Sequence, residues 1–229
     1  MTGRCWAVVP AAGAGARMGS ATPKQYLSLA GRRVIEWSLA PLLRLDEMAT
    51  IVVATSAGDP WWRDIAPGSD KLRRVDGGAR RQDSVLLGLR ALETVADTDD
   101  WVLVHDAARP CLPDEDLAEL LSRVAADSVG GLLACPVRDT LKHASGEGRV
   151  DRTIPRDDLW QALTPQVFRY GPLRAALESA AEAGVEVTDE AAAMERAGYS
   201  PLLVPGSPVN IKITRPGDIA LASAFLEGR

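Results

Sequence analysis

The sequence predicts a three-layer α/β fold, in which helices cover both faces of a twisted, mainly parallel β-sheet. Short apolar runs alternate with stretches whose apolar residues recur at helical spacing. The composition, with 46% hydrophobic and 25% charged residues, lies within the globular range. The length of 229 residues suits one domain with its own core. We therefore expect a single domain over residues 1–229.

Five short apolar segments are the candidate strands, and their composition is typical of strands buried on both faces. They are Cys5–Pro10, Ile51–Thr55, Trp101–His105, Gly131–Cys135 and Asn210–Ile213. Three amphipathic helices are also predicted. The apolar faces of the first two are Val85, Leu89, Leu92 and Val95, and Leu117, Leu120, Leu121 and Val124. Pro113 suits the first turn of the second helix, and the third follows residues 215–218 and runs to about Leu226.

Residues 137–155 break this rhythm, because they are polar, charged and punctuated by glycine, without a helical period. Long non-helical insertions in compact domains are uncommon and often functional. The pattern leaves two interpretations open. The segment is either a flexible surface loop or a β-arm that reaches another subunit or covers a site.

Charge and cysteine content exclude several classes of protein. The formal net charge of −5 argues against a dedicated nucleic-acid binder, which needs a basic surface. The three cysteines, Cys5, Cys111 and Cys135, lie far apart without a CxxC pair, so neither a zinc site nor a disulfide framework is indicated. No run reaches the roughly 18 apolar residues of a membrane span. These features favour a soluble cytoplasmic protein.

Small and cationic residues follow the first predicted strand. Residues 10–19 read Pro-Ala-Ala-Gly-Ala-Gly-Ala-Arg-Met-Gly, and Lys24 follows shortly after. Small side chains let backbone N–H groups approach a polyphosphate, and Arg17 and Lys24 can neutralise its charge. A P-loop would end in Gly-Lys-Ser/Thr, and the dinucleotide fingerprint would place its third glycine at Met18. The segment predicts a phosphate-binding loop of neither common type.

A second glycine turn, Gly77 and Gly78, leads to Ser84 at the start of the Val85 helix. Its backbone groups can contact a base edge, and a helix N-terminus favours anions. The alternative interpretation is a plain turn in which Asp83 or Ser84 caps the helix.

Two further residues carry charge near predicted strand ends. Asp106 directly follows the predicted strand Trp101–His105. A carboxylate there, beside a polyphosphate, is a suitable ligand for Mg²⁺. The alternative interpretation is that Asp106 is a local cap or turn former. Lys212 lies within the apolar segment Asn210–Ile213. It either needs an anionic partner in a cleft or protects an exposed sheet edge.

These segments together resemble the 2-C-methyl-D-erythritol 4-phosphate cytidylyltransferase family, the CTP-consuming enzymes of non-mevalonate isoprenoid synthesis. The resemblance extends from Val8 to about Leu226, and eight motifs in the right order carry it. The motifs are residues 10–19, 23–27, 77–85, 104–110, 136–140, 160–166, 188–191 and 210–216. The resemblance implies a Rossmann-like nucleotidyltransferase fold with a protruding β-arm.

The resemblance also implies roles for individual residues. Arg17, Lys24 and Lys212 match the catalytic cations, the first two holding the triphosphate. The nucleotide-binding positions are Ala11, Ala12, Gly13, Gly15, Gly78, Ala79 and Ser84. The positions that bind the acceptor, with Lys212 beside them, are Asp106, Thr140, Arg156 and Thr164. Asp106 is also the implied Mg²⁺ ligand.

Two features of the resemblance concern the arm and the metal. An arm like residues 137–155 crosses to the partner of a homodimer, so Thr140 and Arg156 would serve the neighbour's site. Val209 stands where the family often has an acidic or small polar residue before Asn-Ile-Lys. The metal is therefore assigned to Asp106 alone.

The expected reaction is in-line attack of the acceptor phosphate on the α-phosphorus of CTP, with release of pyrophosphate. His105 is interpreted as structural, because an acceptor phosphate is already ionised near neutral pH. A cytidylyltransferase for another polyol phosphate, such as ribitol 5-phosphate, is one alternative. A non-catalytic nucleotide-binding domain is another, although mere binding does not require Arg17, Lys24 and Asp106 together. A dinucleotide-dependent oxidoreductase fits their placement poorly.

Overall fold

The computed structural model describes residues 4–13, 18–19, 21–65 and 69–228. The strands in this part of the chain are β1 Cys5–Ala11, β2 Ser28–Leu29, β3 Arg32–Arg33, β4 Met48–Thr55, β5 Leu72–Asp76, β6 Trp101–Val104, β7 Gly130–Pro136, β8 Leu141–Ala144, β9 Val150–Ile154, β10 Trp160–Arg169 and β11 Leu202–Pro205. The α-helices are α1 Val34–Leu43, α2 Arg81–Arg90, α3 Asp114–Ala125, α4 Tyr170–Glu182, α5 Glu190–Arg196 and α6 Gly217–Glu227. Of the helices described, none combines the length and the apolar character needed to cross a bilayer.

The central sheet has seven strands in the order β11-β7-β10-β6-β1-β4-β5. Strand β10 runs antiparallel to both of its neighbours, and the other adjacent pairs run parallel. Helices α1 and α3 pack on one face, and α2, α4 and α5 pack on the other. The predicted mainly parallel sheet with helices on both faces is confirmed.

Strand β1 shows how the two apolar cores are built. Ala7 and Val9 belong to the core beneath α1 and α3, whereas Trp6 and Val8 belong to the core beneath α2 and α4. This alternation is what a two-residue side-chain period gives on a strand covered on both faces. Helix α2 lies very close to β1, because a Cβ atom added at Gly88 would come within 2.5 Å of Val8 Cγ1.

The prediction of a strand at Asn210–Ile213 is wrong. The segment follows a turn and has no ladder partner in the central sheet, whose two edge strands are β11 and β5. Its hydrogen bonds go to the interior of the molecule. The Ile213 N–H donates to the Ala108 carbonyl at 2.8 Å, and Asn210 Nδ2 donates to the Thr164 carbonyl at 2.8 Å. These hydrogen bonds and the burial of Ile213 anchor the segment as an irregular strap beside the cleft that Lys212 lines.

Two helix boundaries also differ from the sequence pattern. Helix α2 ends at Arg90, so Val95 lies beyond it and is 46% exposed, although Leu92 is buried. Pro113 is the N-cap residue of α3 and not part of its first turn. The helix predicted to end near Leu226 is present as α6.

Residues 137–155 contain a β-hairpin that stands apart from the central sheet. Strands β8 and β9 pair antiparallel, with Leu141 opposite Ile154, and form a sheet of their own. Most hairpin residues are exposed, including the apolar Val150. The structure therefore has a β-hairpin arm in this segment, and its contact with another subunit or a site stays a prediction.

Candidate active site

A cleft of about 320 Å³ opens at the carboxyl ends of β1 and β6. Ligands of open α/β sheets collect at this edge, and the volume lies at the lower end of the range of small-molecule pockets. The cleft brings nine of the predicted site residues together. They are Ala11, Ala12, Gly13, Lys24, Gly78, Ala79, Ser84, Asp106 and Lys212. Gly15 and Arg17 lie outside the described residues.

The loop after β1 forms one wall, and side chains behind it hold its carbonyl groups. Gln25 Nε2 donates to the carbonyls of Ala11 at 2.7 Å and Gly13 at 3.2 Å, and Ser56 Oγ donates to that of Ala12 at 3.0 Å. Carbonyl oxygens repel phosphates, so pairing them with donors favours an anionic ligand. Gln25 lies in the 3-10 turn Lys24–Tyr26, which fixes Lys24 relative to the loop.

The Gly78 turn before α2 also lines the cleft. Its backbone N–H donates to Ser84 Oγ at 3.1 Å, and a Cβ atom at Gly78 would come within 2.4 Å of Asp83 Cβ. Asp83 also accepts from the backbone N–H of Arg80 at 3.1 Å. The capping interpretation of Asp83 is therefore confirmed. It is compatible with a binding role, because the capped turn itself lines the cleft.

Asp106 lies at the floor of the cleft among three cations. Its Oδ1 is 2.9 Å from Arg81 Nε, and its Oδ2 is 2.8 Å from Lys212 Nζ and 3.5 Å from Arg109 Nε. Burial alone would raise the pKa of Asp106, but Arg81, Lys212 and Arg109 outweigh it and hold this pKa well below its usual range. Asp106 is therefore ionised at any physiological pH. Of the two interpretations of Lys212, the cleft lysine with an anionic partner is confirmed.

His105 and Thr164 support Asp106 from beneath the cleft. The Arg109 carbonyl lies 3.2 Å from His105 Nε2, which must donate because a carbonyl only accepts. The Thr164 hydroxyl is 3.0 Å from His105 Nδ1 and accepts from the backbone N–H of Asp106 at 3.1 Å. Burial lowers the pKa of His105 to about 4, so the ring is neutral. These contacts agree with a structural role for His105 and give Thr164 two protein partners. The role of Thr164 in acceptor binding stays a prediction.

Comparisons with known proteins agree with this geometry. The family model described as 2-C-methyl-D-erythritol 4-phosphate cytidylyltransferase (IspD) matches residues 5–228. The chain belongs to this family. A relative of that name from Ectopseudomonas mendocina (strain ymp) is 53% identical over 230 residues, which cover 99% of this chain and 98% of the relative.

Solved structures of IspD family members share the fold. A crystal structure of a 4-diphosphocytidyl-2C-methyl-D-erythritol synthase is 36% identical, with a TM-score of 0.86 over 99% of this chain and 100% of the other. The Francisella tularensis 2-C-methyl-D-erythritol 4-phosphate cytidylyltransferase is 33% identical, with a TM-score of 0.85 over 97% and 99% of the two chains. The family resemblance and the α/β nucleotidyltransferase fold inferred from the sequence are confirmed.

The described side chains of this IspD family member offer few ligands for a metal ion. Among the described residues there is no group of three or more His, Cys, Asp or Glu side chains that could hold a metal ion. Both carboxylate oxygens of Asp106 are already paired with cations, so a magnesium ion would have to displace Lys212 or Arg81. The assignment of Mg²⁺ to Asp106 therefore stays a prediction. Val209 stands where the family often has an acidic or small polar residue, and it offers no side-chain oxygen for a second metal ligand.

The arm residues lie apart from this cleft. Thr140 and Arg156 are exposed at the two ends of the hairpin and are not part of the cleft lining. Arg156 donates to the Arg138 carbonyl, which ties the two ends together. The roles of Thr140 and Arg156 in acceptor binding stay predictions.

Sequence reasoning missed four residues that shape the IspD site. Arg81, Arg109 and Gln25 all stood within quoted motifs, but no charge or spacing rule separated them from their neighbours. Glu190 is the first residue of α5, and its carboxylate pairs with both terminal nitrogens of Arg81 at 2.7 and 3.0 Å. A usable signal was the excess of arginines in motifs beside Asp106, since arginines near a buried acid usually pair with it.

Proposed function

We propose that this enzyme transfers the CMP group of CTP to 2-C-methyl-D-erythritol 4-phosphate in non-mevalonate isoprenoid synthesis. The products are 4-diphosphocytidyl-2-C-methyl-D-erythritol and pyrophosphate. One observation carries the proposal. Lys24, Lys212 and the two glycine-containing turns line one cleft, at the sheet edge where two anionic reactants must meet.

In the proposed reaction an oxygen of the acceptor phosphate attacks the α-phosphorus of CTP. The new bond joins that oxygen to the α-phosphorus, and the bond to the β-phosphate bridging oxygen breaks. The acceptor phosphate is already ionised, so no general base is required. Lys24 and Arg17 hold the triphosphate and stabilise negative charge on the transferring phosphoryl group, and Lys212 holds the acceptor phosphate.

Asp106 has a positioning role in this scheme. It fixes the Lys212 ammonium group at 2.8 Å, which holds a flexible side chain at the cleft. The Gly78 turn reads the cytosine through backbone groups. We keep Mg²⁺ in the proposal as an ion brought by CTP, since magnesium usually binds substrate phosphates with few protein ligands and screens their charge. Turnover lost in EDTA and restored by added Mg²⁺ is the expected result, and full turnover in EDTA would remove the ion from the proposal.

An acceptor panel tests the proposed activity. The enzyme is incubated with CTP and either 2-C-methyl-D-erythritol 4-phosphate or ribitol 5-phosphate, and pyrophosphate release is measured. We expect release with the first acceptor and little with the second. Greater pyrophosphate release with ribitol 5-phosphate would mean that another polyol phosphate is the acceptor. CTP binding without pyrophosphate release with either acceptor would indicate a non-catalytic nucleotide-binding domain.

We further propose that the enzyme is a homodimer in which the arm of each subunit completes the neighbour's site. Thr140 and Arg156 lie outside the lining of their own cleft, which supports a role in another subunit. Exposed apolar side chains at Val150, Trp160 and Leu203 support an apolar contact surface near the arm. Such a surface is typical of a symmetric interface between copies.

Mixing two inactive variants tests this arrangement. In a heterodimer of Arg156→Ala and Lys24→Ala subunits, one site keeps both residues only if Arg156 acts across the interface. Random co-assembly makes about half of the dimers mixed, so activity should recover to about a quarter of wild type. No recovery, with heterodimers verified by mass, would place Arg156 in its own subunit's site.

We also propose a cytoplasmic location, which the three buried free cysteines support because such thiols persist in reducing compartments. Cell fractionation tests it, and recovery in a periplasmic or membrane fraction would contradict it.

A further inference from the structure

Four charged side chains form a continuous chain from the cleft to the interior. Lys212 Nζ contacts Asp106 Oδ2 at 2.8 Å, and Asp106 Oδ1 contacts Arg81 Nε at 2.9 Å. The two terminal nitrogens of Arg81 then donate to Glu190 Oε1 and Oε2 at 2.7 and 3.0 Å. The side chain at the cleft end, Lys212, is 37% exposed, whereas Glu190 at the other end is 1% exposed. The charges alternate in sign at every step.

Glu190 has no place in the transfer reaction, yet it is a fully buried carboxylate. Burying a charge is costly unless it is paired and hydrogen-bonded, and among the described residues Arg81 supplies that pairing. Helix α5 does not need Glu190 as a cap, because Asp189 accepts from the Ala192 backbone N–H at 2.9 Å. A capping role therefore does not explain the position of this carboxylate.

The guanidinium group of Arg81 links the position of Glu190 to that of Asp106. It is a rigid planar fork, so a partner that takes both terminal nitrogens fixes the direction of Nε. In this structure that direction points Nε of Arg81 at Asp106 Oδ1. Asp106 thereby keeps its other oxygen for Lys212 at 2.8 Å and, more distantly, for Arg109 at 3.5 Å.

We propose that Glu190 is a positioning residue for the transfer reaction, which holds Lys212 at the cleft through Arg81 and Asp106. The inference rests on the proposed function, because it concerns the placement of a lysine assigned to that reaction. Without the Glu190 carboxylate, Arg81 is free to take both oxygens of Asp106 or to turn into the cleft. Lys212 then loses its fixed position, while the positive charge that attracts CTP increases.

The kinetic test uses Glu190→Gln, which keeps the size of the side chain and removes its charge. We expect turnover to fall about tenfold, the effect of weakening one charge-assisted contact, with the KM for CTP unchanged or lower. Glu190→Asp restores the charge and should recover part of the loss. Asp189→Asn is the matched control, because it alters the neighbouring α5 cap without touching Arg81. The proposal would be overturned if Glu190→Gln raised the KM for CTP without changing turnover. An equal loss of turnover in Asp189→Asn would overturn it as well.

A double-mutant cycle separates positioning from folding. If Glu190 acts through Lys212, Glu190→Gln costs clearly less turnover in a Lys212→Gln background than in wild type. Equal losses in both backgrounds would show that Glu190 acts by another route and would overturn the proposal.

Chemical labelling of the substrate-free enzyme gives a readout that does not depend on the reaction. Trace acetic anhydride is applied, and the acetylation of Lys212 is compared by mass spectrometry with that of Lys142 on the arm. We expect Glu190→Gln to raise the ratio about threefold or more as the ion pair loosens, and Asp189→Asn to leave it unchanged. An unchanged ratio in Glu190→Gln would refute the positioning role. If the wild type shows no CMP transfer but the ratio still rises, the proposed function fails and the charge chain stands.

Discussion

The loop after β1 is expected to depend on one buried amide, the side chain of Gln25. Replacing Gln25 by Leu removes both donors and leaves the buried Ala11 carbonyl without its partner. An unsatisfied buried acceptor costs about 1–3 kcal/mol, whereas water can replace the bond to the exposed Gly13 carbonyl. We therefore expect the free energy of unfolding to fall by about 1–3 kcal/mol.

The same change should weaken CTP binding more than a general loss of stability does. Carbonyls that Gln25 no longer holds from behind can turn toward the triphosphate and repel it. The loss of about one hydrogen bond's worth of binding energy corresponds to a roughly tenfold higher KM for CTP. The control is Gln82→Leu, since Gln82 is also buried and bonds Val185 and Val187 away from the cleft lining. Urea unfolding and steady-state pyrophosphate release measure the two effects. Equal KM values in the two variants would refute a specific role for Gln25 in the loop.

Three further predictions follow from charge, ionisation and packing. Lys24→Ala, and likewise Arg17→Ala, should lower turnover by about 10²-fold or more with the fold intact, and near-normal turnover would refute the mechanism. Burial raises the pKa of Cys5 to about 12. Because the unfolded thiol ionises first, stability should fall by about 1.4 kcal/mol per pH unit above pH 9. Cys5→Ala should flatten that slope in urea unfolding at pH 8 to 10, and an unchanged slope would contradict the assignment. Gly88→Ala should destabilise by about 1–3 kcal/mol through its contact with Val8 and be rescued by Val8→Ala, whereas an unchanged thermal midpoint would contradict the close packing.

The sequence predicts those strands whose apolar composition matches a buried position in the sheet. Strands β1 and β6 are buried on both faces, so their composition alone identifies them. Strand β5 reads Leu-Arg-Arg-Val-Asp, and its charges are tolerated because it lies at the edge of the sheet. The segment Asn210–Ile213 is apolar for a different reason, since its side chains anchor a strap and not a strand. The apolar composition of a segment indicates that it is buried, but it does not indicate whether its backbone pairs with a neighbouring strand.

The candidate site was predictable where the sheet topology decides it. Asp106 lies two residues beyond the end of β6, so the carboxyl-edge rule locates it without further information. The pairing of Arg81 with Glu190 joins residues 109 positions apart, on helices that meet only after α5 packs on the α4 side of the sheet. No local pattern encodes that contact. Sequence therefore identified nine residues that line the cleft and missed Arg81, Arg109, Gln25 and Glu190, which hold them.

The arrangement of charge explains why an acid lies at the floor of a cleft meant for anions. Arg81, Arg109 and Lys212 would repel one another if they were packed together without counter-charge, and each would bear the cost of burial. Asp106 and Glu190 remove that repulsion, and three cations against two carboxylates leave one net positive charge in the group. The acids reduce the attraction for a triphosphate, but they turn mobile cations into fixed ones. For a reaction in which two anions must meet in line, fixed positive charge lowers the barrier more than a larger charge that has to reorganise.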